Sequence, residues 1–262
     1  MANLLLPVAT GRYIIGNMSQ SAQTPSEPSR NGIGTLQETS LHAALKRWYA
    51  RPGDRLEAQV DGFFIDVLRE DLLIEIQTGS FSAIKPKLIR LIERYPVRLV
   101  HPIPLEKWIV RLDSSGEKQR SRRKSPKRGG PTDVFYELVR ISDLVTSANF
   151  SVEILLTREE EIWRDDGRGS WRRRYWSIVD RRLLEVVDRR ILANPLDFQE
   201  LLPADLPAAF TTADLAKHMK IRRSLAGKMA YCLRVMGAVE LVGKRGKAHM
   251  YALPSLLKEG PP

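Results

Sequence analysis

From Arg55 to Gln77 the chain runs Arg-Leu-Glu-Ala-Gln-Val-Asp-Gly-Phe-Phe-Ile-Asp-Val-Leu-Arg-Glu-Asp-Leu-Leu-Ile-Glu-Ile-Gln, apolar stretches broken twice by turn residues. The pattern predicts three short strands. Asp61-Gly62 is a strong signal for a two-residue hairpin turn, which pairs Val60 with Phe63 and sets Glu57 opposite Asp66. A second tight turn at Glu70-Asp71 pairs Arg69 with Leu72 and sets Asp66 opposite Glu75. The run Phe63, Phe64, Ile65, Val67, Leu72, Leu73, Ile74 and Ile76 is nearly continuous and apolar, so these strands are expected to be covered on both faces. A helix follows over Ser82–Glu93, with Ile84, Leu88, Leu91, Ile92 and Tyr95 on one stripe. Val97–Pro102 then predicts a strand parallel to an earlier one, and Lys107–Leu112 a hairpin strand before the Ser114-Ser-Gly turn. Leu183–Leu192 carries helical spacing.

The predicted register puts Glu57, Asp66 and Glu75 in one row. Like charges directly opposed across a sheet destabilise it by about 0.2–1 kcal/mol per pair. A divalent cation held between them reverses the sign of that interaction, so the row is a candidate metal site; the alternative is a polar hairpin face in open water.

These residues resemble the PD-(D/E)XK nuclease superfamily: an acid on one strand, Asp66, then a second acid two residues before a motif position on the next, Glu75-Ile76-Gln77. Gln77 stands where the superfamily carries lysine. The resemblance implies a lysine moved to the following helix, and Lys87, on the border of the apolar stripe, is the candidate, with Lys85 the second choice. The superfamily also often places an acid on the helix before the sheet. Gln37–Tyr49 reads as that helix, and Glu38 is the acid; a favourable charge in a first helical turn is the plainer reading of Glu38. By resemblance, Asp66, Glu75 and the Ile76 carbonyl would hold Mg²⁺ or Mn²⁺. Lys87 would orient or deprotonate the attacking water, Gln77 would substitute for the usual lysine, and Glu38 or Glu57 would assist. The resemblance covers roughly Leu36 to Pro104.

Charge and composition fit a polyanionic partner. Of 262 residues, 42 are Lys or Arg and 31 Asp or Glu, leaving +11 at neutral pH. The single Cys232 excludes an internal disulfide and suits a reducing cytoplasm, the expected location. No apolar run approaches the roughly 20 residues of a membrane span, and Leu4-Leu-Leu6 is too short for a secretory signal. His42, His101, His218 and His249 stand far apart, without zinc-ligand spacing. Residues 1–33 include the run Ser19–Arg30, rich in Ser and Pro, and read as a disordered tail in which Met18 offers a second start.

Three basic segments are candidates for DNA contact. Arg120–Gly130 contains Arg122, Arg123, Lys124, Lys127 and Arg128, and reads either as a mobile solvated loop or as a phosphate clamp. Trp163–Trp176 interleaves Arg172 and Arg173 with aromatic residues. Trp171, Tyr175 and Trp176 either stack on unpaired bases or pack inward. After Asn194-Pro195 the chain resembles a winged helix. Thr211 caps a helix, Arg222–Met236 forms a second that Gly237 stops, and Ala238–Val242 and Ala248–Leu253 flank a basic turn at Gly243–Lys247. Leu225, Met229, Cys232, Leu233 and Met236 share the apolar face; Arg223, Gly227, Tyr231 and Arg234 share the other, and with Lys244 and Arg245 suit entry into a groove. Protein contact is the other use of such a module.

The expectation is an α/β protein: a restriction-endonuclease-like mixed sheet flanked by helices over 34–193, and a winged helix-turn-helix over 194–262. It implies a metal-dependent deoxyribonuclease acting in repair or in defence against foreign DNA. The rival is a non-catalytic DNA-binding regulator with an inactive nuclease fold. An RNA target and a homodimer stay open.

Overall fold

A computed structural model describes residues 39–254. The predicted tail over 1–33 and Glu38 lie outside the described residues. The fold is mixed α/β, a large sheet flanked by helices.

Helix α1 (Ser40–Tyr49) is capped by Thr39, whose side chain accepts from His42 N–H. Strands β1 (Arg55–Val60), β2 (Phe63–Arg69) and β3 (Leu72–Ile76) form the antiparallel meander, with Val60 opposite Phe63 and Arg69 opposite Leu72, as the turn residues dictate. Helix α2 (Lys85–Ile92) starts later than the pattern predicts. Phe81–Ala83 forms a 3₁₀ turn first, and Pro86, which has no N–H to give, sits in the first turn of α2, where none is needed. Leu88 and Leu91 are fully buried beneath it.

Strand β4 (Val97–Leu112) lies parallel to β3 and absorbs both the strand and the hairpin strand expected at Lys107–Leu112 into one 16-residue element. Its far half pairs with β5 (Gln119–Lys124), so the first part of the basic run, Arg120–Lys124, is an exposed strand, and only the part from Ser125 to Gly130 is loop. Short helix α3 (Phe135–Leu138) leads to β6 (Phe150–Arg164), parallel to β4 along its whole length, which the sequence pattern did not single out. Strand β7 (Ser177–Leu192) closes the order β1-β2-β3-β4-β6-β7.

The helical spacing at Leu183–Leu192 therefore belongs to a strand. The pairing of β7 with β6 skips Val179, Leu184 and Val187. Each skipped residue is a bulge that adds one position, so the inward Leu183 and Val186, packed on the sheet, stand three apart instead of two. A bulged strand imitates a helical period. The bulged edge also presents a poor template for pairing with another chain.

The remaining elements are α4 (Pro195–Gln199), capped by Asn194, β8 (Ala209–Thr211), α5 (Thr212–His218), α6 (Arg223–Val235), β9 (Glu240–Arg245) and β10 (Ala248–Ala252). The three strands form a small antiparallel sheet in the order β8-β10-β9. Thr211 accepts from Ala213 and Asp214 N–H to cap α5, and Gly237 takes φ +75° just past α6, both as the sequence predicts.

Two clusters make the core. Leu41, Leu45 and Tyr49 of α1 pack on Val67, Ile74, Ile76, Val100 and Leu155 on one face of the sheet. On the other face Ile65, Leu73, Leu88 and Leu91 belong to a larger cluster that runs through Phe135 and Phe198 into Leu225, Met229 and Leu233 of α6.

Candidate metal centre

Asp66 sits where β2 turns over. Ile65 and Val67 would share a face of a regular strand, yet Ile65 packs on the α2 side and Val67 under α1. Across the hairpin Glu57 occupies the position opposite Asp66 but takes φ +50° and leaves the regular ladder. Its carboxylate pairs with the Lys46 ammonium from α1. Neither Glu57 nor Glu75 is a ladder partner of Asp66, and of the three acids only two act on one another through their charge.

Those two are Asp66 and Glu75. Ladder pairing of β2 with β3 ends at Val67 opposite Ile74, so Ile76 projects its backbone past the last pair. There the Asp66 carboxylate takes over, Oδ2 accepting from Ile76 N–H at 2.8 Å and lying 3.2 Å from His42 Nε2. Glu75 is 4% exposed, and the Lys87 ammonium reaches to 2.5 Å of its Oε1 while donating to the Phe64 carbonyl at 2.5 Å. The ammonium is in ion-pair contact, yet no donor is well aligned with that oxygen.

The two acids are tuned apart. Burial works to raise the Asp66 pKa, but His42, the Ile76 N–H and the charge of Lys46 leave it below its ordinary value. Burial dominates at Glu75, and with the neighbouring Asp66 charge it outweighs Lys87, pushing the carboxyl up to about 7. A buried oxygen without an aligned donor, beside an ionised carboxylate and a carbonyl beyond the ladder, is a hard oxygen donor set. Magnesium is commonly held by one or two carboxylates plus water and substrate phosphate, so the residues fit such an ion. Among the described residues no group of three His, Cys, Asp or Glu side chains is assembled for a metal.

The other expected participants go elsewhere. The Gln77 side-chain oxygen accepts from Gly79 N–H at 3.0 Å, turned along its own chain. The Gln77 carbonyl faces β4, where Pro102 has no N–H to offer, and His101 Nδ1 lies 2.6 Å from it. Lys85 bonds Asp143 and the Arg140 carbonyl, away from the acids. Sequence reasoning missed His42 and Lys46. They stand four residues apart on α1, bordering the inward stripe of Leu41, Leu45 and Tyr49, and that spacing is the signal that identifies them.

A cavity of about 400 Å³ opens at the carboxyl end of β3, beginning at Thr78 and lined by Ser80, His101, Lys107, Lys127 and Arg181 among others. Of the basic residues on and after β5, Arg122 pairs with Glu160, and Lys124 and Arg128 both pair with Glu106, each at 2.7 Å. Arg122 and Lys124 lie over the Trp108 ring. Arg123 is exposed. In α6 the predicted apolar face is buried and Arg223, Tyr231 and Arg234 are exposed. Lys244 is exposed, whereas Arg245 pairs with Asp214 at 3.2 Å.

The family model described as Domain of unknown function (DUF8091) matches residues 39–193. The chain belongs to the DUF8091 family. The DUF8091 match opens at the Thr39 cap of α1 and closes after β7, so it contains both acids, Lys87 and His42. The chain is also similar to an "Uncharacterized protein" of Treponema pallidum (strain Nichols), 32% identical over 226 residues, covering 84% of this chain and 86% of the relative. That span extends the likeness beyond the DUF8091 region. No solved structure matches the chain.

Proposed function

We propose that the chain is a metal-dependent deoxyribonuclease of restriction-endonuclease-like fold, brought to duplex DNA by a winged helix at its C-terminal end. The observation that carries the reading is the Lys87 ammonium, delivered from α2 to within 2.5 Å of the buried Glu75 carboxylate. A lysine displaced from position 77 to the following helix should stand there. Mg²⁺ or Mn²⁺ held by Asp66, Glu75 and the Ile76 carbonyl would polarise the scissile phosphate and lower the pKa of a bound water. The chain supplies the rest. His42 and the Ile76 N–H keep Asp66 ionised and fixed in direction, and the Lys87 ammonium orients the attacking water as a hydrogen-bond donor.

The strand order β8-β10-β9, with α6 seated by its apolar face and Arg223, Tyr231 and Arg234 turned outward, supports the winged-helix part of the reading. A second reading, a DNA-binding regulator with an idle nuclease fold, is favoured by one feature. Gln77 is committed to Gly79 and does not stand in for the absent lysine.

Incubation of the purified chain with duplex DNA and Mg²⁺ or Mn²⁺ decides between them. Cleavage is expected, and Asp66→Ala, Glu75→Ala or Lys87→Met should each lower it by at least about a hundredfold, with duplex affinity within about twofold of the parent. A chain that binds DNA but cuts none with any divalent cation is a regulator.

A further inference from the structure

Between β6 and β7 the chain folds into a tip whose backbone is hydrogen-bonded to itself and whose exposed side chains are aromatic and basic. Gly169 N–H donates to the Tyr175 carbonyl at 2.8 Å, Tyr175 N–H to Ser170 at 3.1 Å, Arg174 N–H to Trp171 at 3.0 Å and Trp176 N–H to Arg173 at 3.1 Å. Arg174 and Tyr175 take consecutive positive φ angles, +52° and +64°, a conformation that side chains other than glycine rarely adopt without a compensating framework. Gly169 is obligatory, since a Cβ there would lie 1.8 Å from the Trp176 carbonyl oxygen. Trp163 and Trp176 turn inward and hold the Arg111 guanidinium at 5.9 and 5.1 Å from their ring centres.

That framework leaves two large rings in water. Trp171 is 71% exposed and Tyr175 59%, within a segment that also carries Arg168, Arg172, Arg173 and Arg174. The Arg172 guanidinium lies 5.4 Å over the Trp171 ring. The backbone that carries both rings is held by its own hydrogen bonds. Arg173 is half-buried and donates to the Trp176 carbonyl at 3.2 Å, while Arg168, Arg172 and Arg174 are exposed. Exposed aromatic rings with exposed arginines in the same short segment match a ligand that combines flat apolar rings with negative charge. Unpaired bases with their phosphates have that combination, and a duplex, whose bases are already stacked, does not offer it.

We infer that the β6–β7 tip is a binding site for single-stranded nucleic acid, with Trp171 and Tyr175 stacking on unpaired bases and the surrounding arginines holding the phosphates. It is separate from the metal centre and from α6, and stands whether or not the chain cuts DNA.

The test is equilibrium binding of the full chain, without divalent metal so that cleavage plays no part, to labelled oligo(dT), oligo(U), a blunt duplex and vesicles of anionic phospholipid. Trp171→Ala with Tyr175→Ala should weaken binding to oligo(dT), oligo(U) or both by at least about tenfold and leave blunt-duplex affinity within about twofold. Phe at both positions should restore most of the loss. The inference fails if the Ala pair leaves binding to both oligonucleotides unchanged, if the Phe pair loses as much as the Ala pair, or if the rings matter for vesicles and not for oligonucleotides. Both rings are exposed, and unchanged melting temperatures of the variants will show that the fold is kept.

Discussion

Glu75 is the residue whose chemistry differs most from its behaviour in water. In the folded chain its pKa stands at about 7 against an ordinary 4.5, so the folded state holds the proton more tightly than the unfolded state. Stability therefore declines as pH rises from about 4.5 to about 7, after which the loss is complete. The gap corresponds to roughly 3 kcal/mol at most. Glu75→Gln, measured in chelator by thermal melting, should stabilise the protein at pH 8 and change little at pH 4.5. Mg²⁺ should raise the melting temperature of the parent at pH 8 and not that of the variant. A variant that melts lower than the parent at pH 8 would mark the carboxylate as a structural ion-pair partner. Asp66 and Glu75 were legible in the sequence because two turns fixed a register. Their environments were not, because the turnover of β2 at Asp66 depends on packing, and the spacing of His42 and Lys46 puts them on the sheet side of α1 without saying which acid each one reaches.

Helix α1 is held to the sheet by more than its apolar face. Tyr49 OH donates to the fully buried Glu153 carboxylate of β6 at 2.6 Å, while Arg98 and Arg189 approach that carboxylate only to 3.7 and 3.8 Å. Burial is the first cause that raises the Tyr49 pKa, with the Glu153 charge beside it, so the phenol stays a donor. Tyr49→Phe removes the one short bond to a buried acid and should cost about 1–3 kcal/mol in denaturant unfolding. A change under about 0.5 kcal/mol would mean that water or Arg98 takes the place of the phenol. Elements with a strict local signature, such as the Asp61-Gly62 hairpin, the Thr211 cap and the Gly237 stop, could be read directly. Strand β7 could not, since its bulges at Val179, Leu184 and Val187 disguise a two-residue period as a helical one. The basic strand β5 was equally hidden: six exposed polar residues have no alternation, and only the pairing with β4 makes them a strand.

At the scale of the molecule, the boundary expected after residue 193 crosses a continuous core. Phe198, Leu201, Phe210 and the buried face of α6 belong to the same cluster as Phe135, Leu138 and Ile141. Truncation after Asn194 should therefore expose that cluster and yield aggregated protein or protein that melts without cooperativity, as read by light scattering and calorimetry. A soluble, cooperatively melting 1–194 fragment would show instead that the sheet is self-sufficient.

The long parallel pair β4 and β6 links the two ends of the sheet. Leu99 pairs with Glu75 beside the acids, and Arg111, held between Trp163 and Trp176, marks the base of the tip. About twelve residues of strand at about 3.3 Å each separate them, a contour of roughly 40 Å, close to the 34–36 Å of one duplex turn. If the tip grips an unpaired end and the acids cut, the sheet acts as a ruler. Incisions on a forked substrate should then fall about one turn from the fork whatever the base sequence, and mapping the cut positions on forks of differing sequence would show whether length, in place of base reading, chooses the bond.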